Sequence, residues 1–156
     1  TFNMAGWRVG FAVGNADMIE ALNLIQDHLF VSIFPAIQDA AIEALQNTEA
    51  RQKAVAELTQ TYENRRNAFI AAVREYHWEP YVPKGAFYVL MPVPKGYTST
   101  SFANLLLEEA NVAVADAAGF GSAGEGYIRI GLTIDEKRLV EAAKRIGKLE
   151  IFNSEN

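Results

Sequence analysis

Residues 48–76 hold a stretch without glycine or proline in which Ala54, Val55, Leu58, Tyr62, Phe69 and Val73 recur at helical spacing. Arg51, Lys53, Glu57, Glu63, Arg65 and Arg66 fall mostly on the other side, so the pattern predicts one long amphipathic helix capped by Thr48. A helix of that length exceeds the about 20 residues that cross a small domain. It therefore suits a connection between two domains, and the chain divides at it: residues 1–50 form one part, and residues 51–156 form the long helix plus a smaller domain.

Upstream, Val9, Phe11 and Val13 alternate with Arg8, Gly10 and Ala12, which predicts a short strand over residues 7–13 ended by Gly14-Asn15. Asp17 can cap a helix over 18–28 that carries Ile19, Leu22 and Ile25 on one stripe. Residues 31–35 interrupt it, and Pro35 suits the first turn of the next helix, striped by Ile37, Ala40, Ala41, Ala44 and Leu45.

Downstream of Pro80 the period changes. Strands are predicted over 86–91, 112–114 and 126–132, with helices over 101–110 (Phe102, Leu105 and Leu106 inward) and 134–149 (Leu139, Ala142, Ala143 and Ile146 inward). The order strand, helix, strand, strand, helix predicts an α+β fold.

The chain carries a formal net charge of −5 with charges mixed along its helices, which argues against a nucleic-acid partner. No apolar run approaches the roughly 20 residues of a membrane span, so no membrane partner is expected. There is no Cys, which excludes disulfides, thiolate metal sites and Cys nucleophiles; a cytoplasmic location is the expectation.

Gly119-Phe120-Gly121-Ser122-Ala123-Gly124 spells G-x-G-x-x-G, but a phosphate loop must open a helix, and Glu125-Gly126-Tyr127-Ile128 has strand character. A turn between strands is the better reading. His28 and His77 lack metal-ligand spacing, so no metal is expected. Asp116, in a turn after a buried strand, is the one carboxylate not readily explained by a solvated helix face.

Arg8 and Arg129 stand among apolar residues, where a guanidinium is costly to bury without an anion. Alternation puts Arg129 on one face with Tyr127 and Gly131, while Ile128, Ile130 and Leu132 face the core. Each arginine is read either as a structural ion pair or as a bidentate clamp on phosphate or carboxylate.

At these residues the sequence resembles the class I/II aminotransferases of the fold-type I pyridoxal-phosphate superfamily. Gly6-Trp7-Arg8-Val9-Gly10 matches the family's G-x-R-x-G, Pro83-Lys84-Gly85-Ala86-Phe87-Tyr88 its P-x-G-x-F-Y, and Gly124-Glu125-Gly126-Tyr127-Ile128-Arg129 its G-E-G-Y-x-R. Thr1 to Gly14, residues 92–99 and Gly131-Leu132 look like the methionine-salvage branch, which aminates the 2-oxo acid of methionine. Asp116-Ala117 departs from the family's proline followed by glycine, which puts that turn's part in the site rim in question.

The resemblance implies the C-terminal portion of a homodimeric aminotransferase, a small domain with an antiparallel-rich sheet and packed helices plus helices and one strand left from the large α/β domain, whose cofactor is pyridoxal phosphate and whose substrates are amino acids and 2-oxo acids. It implies that Arg8 binds the cofactor phosphate, that Arg129 binds the substrate α-carboxylate, and that the Schiff-base lysine lies immediately before Thr1, so that these 156 residues alone are expected to be inactive. A non-catalytic binding module with the same fold and a carbon–sulfur lyase of the same superfamily are the alternatives.

Overall fold

A computed structural model describes residues 2–30, 32–149 and 151–152. The chain forms two compact units, Thr1–Thr59 and Gln60–Asn156, and the division falls inside the long helix.

In the first unit a 3-10 turn over Ala5–Trp7 precedes helices α1 (Ala16–Leu29) and α2 (Pro35–Gln46). The cap of α1 is Asn15 rather than Asp17: its side-chain oxygen accepts the N–H groups of Asp17 at 2.9 Å and Met18 at 3.2 Å. Asp17 then sits in the first turn, where its charge meets the positive end of the helix dipole. Proline opens α2 as the sequence indicates. Helix α3 (Thr48–Arg74) begins in this unit, with Asn47 accepting the Ala50 N–H at 3.1 Å in the capping role expected of Thr48. Val31, in the interruption between α1 and α2, lies outside the described residues.

The strand expected over residues 7–13 does not form; after the 3-10 turn these residues carry no regular structure. Alternation marks which side chains could share a face, but a strand also needs a neighbour for its N–H and C=O groups. Among the described residues every paired strand lies between Tyr88 and Gly131, and those strands pair with one another.

The second unit runs β1 (Tyr88–Pro92), α4 (Ser99–Ala110), β2 (Ala115–Asp116), β3 (Tyr127–Gly131) and α5 (Glu136–Gly147). The sheet order is β1-β3-β2, antiparallel throughout, with β3 in the centre. Its inner face sets Val89 opposite Ile130 and Met91 opposite Ile128, all buried. Phe102 and Leu106 of α4, Leu139, Ala143 and Ile146 of α5, and Phe69 and Val73 of α3 close over that face, with Trp78 beside them. Burying each of these large side chains contributes about 1.5–3 kcal/mol, which makes this layer the main source of the unit's stability.

Two strand boundaries move from their expected positions. Ala86 adopts a left-handed conformation (φ 64°), so β1 starts at Tyr88 rather than residue 86. Asn111 adopts the same conformation as the C-cap of α4, and Val112 still donates to the Leu106 carbonyl at 3.0 Å, so the chain is free to pair only from Ala115. No helix among the described residues is long and apolar enough to cross a membrane.

Candidate functional site

The turn before β3 is held by side chains of α4. Ser99, fully buried, accepts the N–H groups of Gly126 at 2.9 Å and Tyr127 at 3.1 Å and donates to the Gly124 carbonyl at 3.4 Å. Its own N–H, an orphan of the helix's first turn, donates to the Glu125 carboxylate at 3.0 Å. Glu125 is thereby a helix cap rather than a free acid. Gly124 packs so tightly that a Cβ there would stand 2.0 Å from the Ala117 carbonyl oxygen.

Asp116 is also explained by geometry. One carboxylate oxygen accepts the Ala118 N–H at 2.8 Å and the other accepts the Thr100 hydroxyl. These bonds start a 3-10 turn over Ala118–Phe120, with Ala117 buried beneath it and Gly121 at φ 134° after it. The G-x-G-x-x-G string thus forms two successive 3-10 turns, the second over Ser122–Gly124, and opens no helix.

Strand β3 then delivers Arg129 onto the outer face of the sheet, opposite Leu90 of β1 and Ala115 of β2. Ile128, Ile130 and Leu132 point the other way and are buried, as the alternation requires. Tyr88 sits opposite Gly131, where a Cβ would meet its ring at 3.8 Å, an ordinary van der Waals contact. The Arg129 guanidinium carbon lies 4.1 Å from the centroid of the Tyr88 ring and 3.9 Å from that of Phe120. The guanidinium carbon thus lies within cation–π distance of both rings.

Among the described residues Arg129 makes no ion pair and its side chain no hydrogen bond; the ion pairs there are Arg66–Glu63, Arg74–Glu79 and Arg145–Glu141. The guanidinium stands over two aromatic rings, and its N–H donors, without a hydrogen-bond partner among the described residues, could meet a planar carboxylate with two parallel bonds.

Arg8 belongs to the first unit and is described within it. It caps the Ala5–Trp7 turn in the left-handed conformation (φ 56°), a placement that costs an L-residue about 1–2 kcal/mol. Its Nη1 reaches the Ala5 carbonyl at 3.5 Å, and among the described residues it too makes no ion pair. An exposed, unneutralised guanidinium on a short turn has the donor chemistry a phosphate requires.

The histidines have structural roles. His28 Nδ1 lies 2.8 Å from the Leu24 carbonyl oxygen, and His77 takes the left-handed turn after α3, its N–H donating to Arg74. No group of three or more His, Cys, Asp or Glu that could hold a metal occurs among the described residues.

Tyr88 and Phe120 were not singled out from the sequence as partners of Arg129. The register that sets Tyr88 across from Gly131 held the only signal for the first, and nothing local signals the second.

A three-stranded antiparallel sheet backed by two helices, fed by a long helix and presenting the Arg129 guanidinium on its outer face, is the setting in which the comparisons with known proteins fall. The chain belongs to the aminotransferase class I and II family, which it matches over residues 1–146. It is 60% identical over 156 residues, all of the chain and 38% of the relative, to L-glutamine–4-(methylsulfanyl)-2-oxobutanoate aminotransferase of Bacillus subtilis. It is 43% identical over 149 residues, 96% of the chain and 38% of the relative, to LL-diaminopimelate aminotransferase of Syntrophobacter fumaroxidans. Among solved structures it superposes on apo-BacF of Bacillus subtilis with a TM-score of 0.88 at 40% identity, covering 99% of this chain and 39% of that one. The aromatic aminotransferase of Pyrococcus horikoshii gives a TM-score of 0.88 at 36% identity, covering 96% and 40%. The chain thus spans about two-fifths of the length of the relatives it matches. The family's cofactor is pyridoxal phosphate.

Proposed function

We propose that this chain supplies the C-terminal portion of a pyridoxal-phosphate-dependent aminotransferase, in which Arg129 binds the α-carboxylate of amino-acid and 2-oxo-acid substrates and Arg8 binds the cofactor phosphate. The observation that carries the reading is the Arg129 guanidinium, set against the Tyr88 and Phe120 rings with no carboxylate partner among the described residues. Residues 1–50 then belong to the large cofactor-binding domain and residues 51–156 to the connecting helix and small domain. The lysine that carries the cofactor precedes residue 1 by the family's spacing. A cytoplasmic homodimer is part of the same reading.

Pyridoxal phosphate, when bound, supplies the electron sink for charge that develops at the substrate α-carbon. The chain's own residues provide position. Two N–H bonds from one rigid fork fix both oxygens of a carboxylate and hence the direction of the α-carbon bonds, and such orientation lowers a barrier by several kcal/mol. The two rings beside the cation replace part of the water around it, which strengthens its grip on an anion.

Within that class, transfer from L-glutamine to 4-(methylsulfanyl)-2-oxobutanoate is the favoured reaction. It is supported by 60% identity over the whole chain to a relative named for that reaction, against 43% to one named for LL-diaminopimelate. The test is steady-state turnover by the holoenzyme carrying this chain, with glutamine and the sulfur-containing oxo acid, set beside LL-diaminopimelate as donor. Preference for diaminopimelate would overturn the substrate assignment. Transamination unaffected by Arg129→Lys would overturn the site.

A further inference from the structure

Arginine carries about 2 kcal/mol of rotamer freedom, and a protein that uses one as a clamp must restrict that freedom beforehand. The usual device is an ion pair, but a resident carboxylate would occupy the in-plane donors and neutralise the charge the substrate needs. Arg129 is held another way. The Tyr88 and Phe120 ring centroids lie 4.1 Å and 3.9 Å from its guanidinium carbon, cation–π contacts that hold the group without bringing a negative charge to it.

Phe120 is not part of the unit's core. It is 66% exposed at the tip of a turn whose base is fixed by Asp116, by buried Ala117 and by the Gly124 contact, and glycines flank it on both sides. An aromatic ring that exposed contributes little packing energy, so its contact with Arg129 is the feature that distinguishes it. Tyr88 is supported from behind, with its ring 4.4 Å from Phe87 and the Phe87 ring 5.6 Å from Tyr62 of α3.

We propose that Tyr88 and Phe120 are positioning residues, an aromatic clamp that fixes the plane of the Arg129 guanidinium and sets the enzyme's affinity for the substrate carboxylate, with Phe120 as the adjustable half. The inference rests on the reading of Arg129 as the carboxylate-binding residue.

The test is a set of holoenzyme variants, Phe120→Leu, Phe120→Trp, Tyr88→Phe and Arg129→Lys, together with the Phe120→Leu/Arg129→Lys double variant. Phe120→Leu raises KM for amino-acid substrates about 5- to 20-fold, the size of a partly desolvated cation–π contact, while kcat changes less than about twofold. Cofactor retention and melting temperature stay at the parent values. Phe120→Trp and Tyr88→Phe, which keep a ring face, remain within about threefold of the parent KM. In the Arg129→Lys background Phe120→Leu adds little, because the ammonium group has no plane to fix. An unchanged KM in Phe120→Leu beside a raised KM in Arg129→Lys would overturn the clamp and leave the carboxylate reading standing. An equal loss from Phe120→Leu in both backgrounds would also overturn it, since the ring would then act on substrate directly. If Arg129→Lys itself leaves KM and kcat unchanged, the carboxylate reading falls and the clamp with it.

Discussion

The hydroxyl of Ser99 accepts the N–H of Gly126 at 2.9 Å across 27 residues of sequence, and this bond joins the first turn of α4 to the turn that launches β3. Three residues beyond Gly126 the same strand presents Arg129. A buried hydroxyl at a helix start therefore helps set where the site's cation emerges.

Ser99→Ala removes the buried hydroxyl to which the part-buried Gly126 and Tyr127 N–H groups donate. Each unsatisfied buried group costs about 1–3 kcal/mol, so thermal or urea unfolding should report a loss of about 2–4 kcal/mol. A stability within 0.5 kcal/mol of the parent, roughly the scatter of surface substitutions, would show that the bonds contribute nothing.

Gly124→Ala and Gly131→Ala should separate sharply. The first places a methyl 2.0 Å from the Ala117 carbonyl oxygen, a backbone atom held by the turn, whereas the second meets only the Tyr88 ring and Thr133 side chain at 3.8 Å. Gly124→Ala is expected to lose about 2–3 kcal/mol of unfolding free energy or to yield little soluble protein, and Gly131→Ala about 1 kcal/mol or less.

Arg129→Lys keeps the charge and loses the fork. In the holoenzyme it should cost about 2–4 kcal/mol of transition-state stabilisation, a drop of roughly 30- to 1,000-fold in kcat/KM for amino-acid substrates. Cofactor content, read from the visible absorbance of the purified enzyme, should be unchanged.

Arg8→Ala should do the converse. Cofactor should be lost more readily on dialysis, with a rise in the concentration needed to restore activity, while the relative kcat/KM among substrates in the reloaded enzyme stays as in the parent. A changed substrate ranking with normal cofactor affinity would refute the assignment.

The elements read correctly from the sequence are those whose cause is local. The stripe from Ala54 to Val73 gives α3, and the alternation of Ile128, Arg129 and Ile130 gives both β3 and the side of the sheet on which Arg129 emerges. Residues 7–13 show the same alternation and no strand, because the missing ingredient is a partner rather than a pattern. Asp116 follows a buried segment and is the carboxylate the sequence least easily explains, and both its oxygens hold the turn. Tyr88 and Phe120 became visible only through pairing register and the path of the 117–124 loop, which no spacing rule encodes.

The central place of β3 also bears on time. Arg129 has a paired strand on each side, Leu90 on one and Ala115 on the other. Backbone amides in such a strand exchange with solvent only when the surrounding unit opens as a whole, whereas edges and loop tips open by themselves. The Arg129 segment should thus be among the slowest to take up deuterium in this chain, and the charge offered to a ligand persists for as long as the unit stays folded.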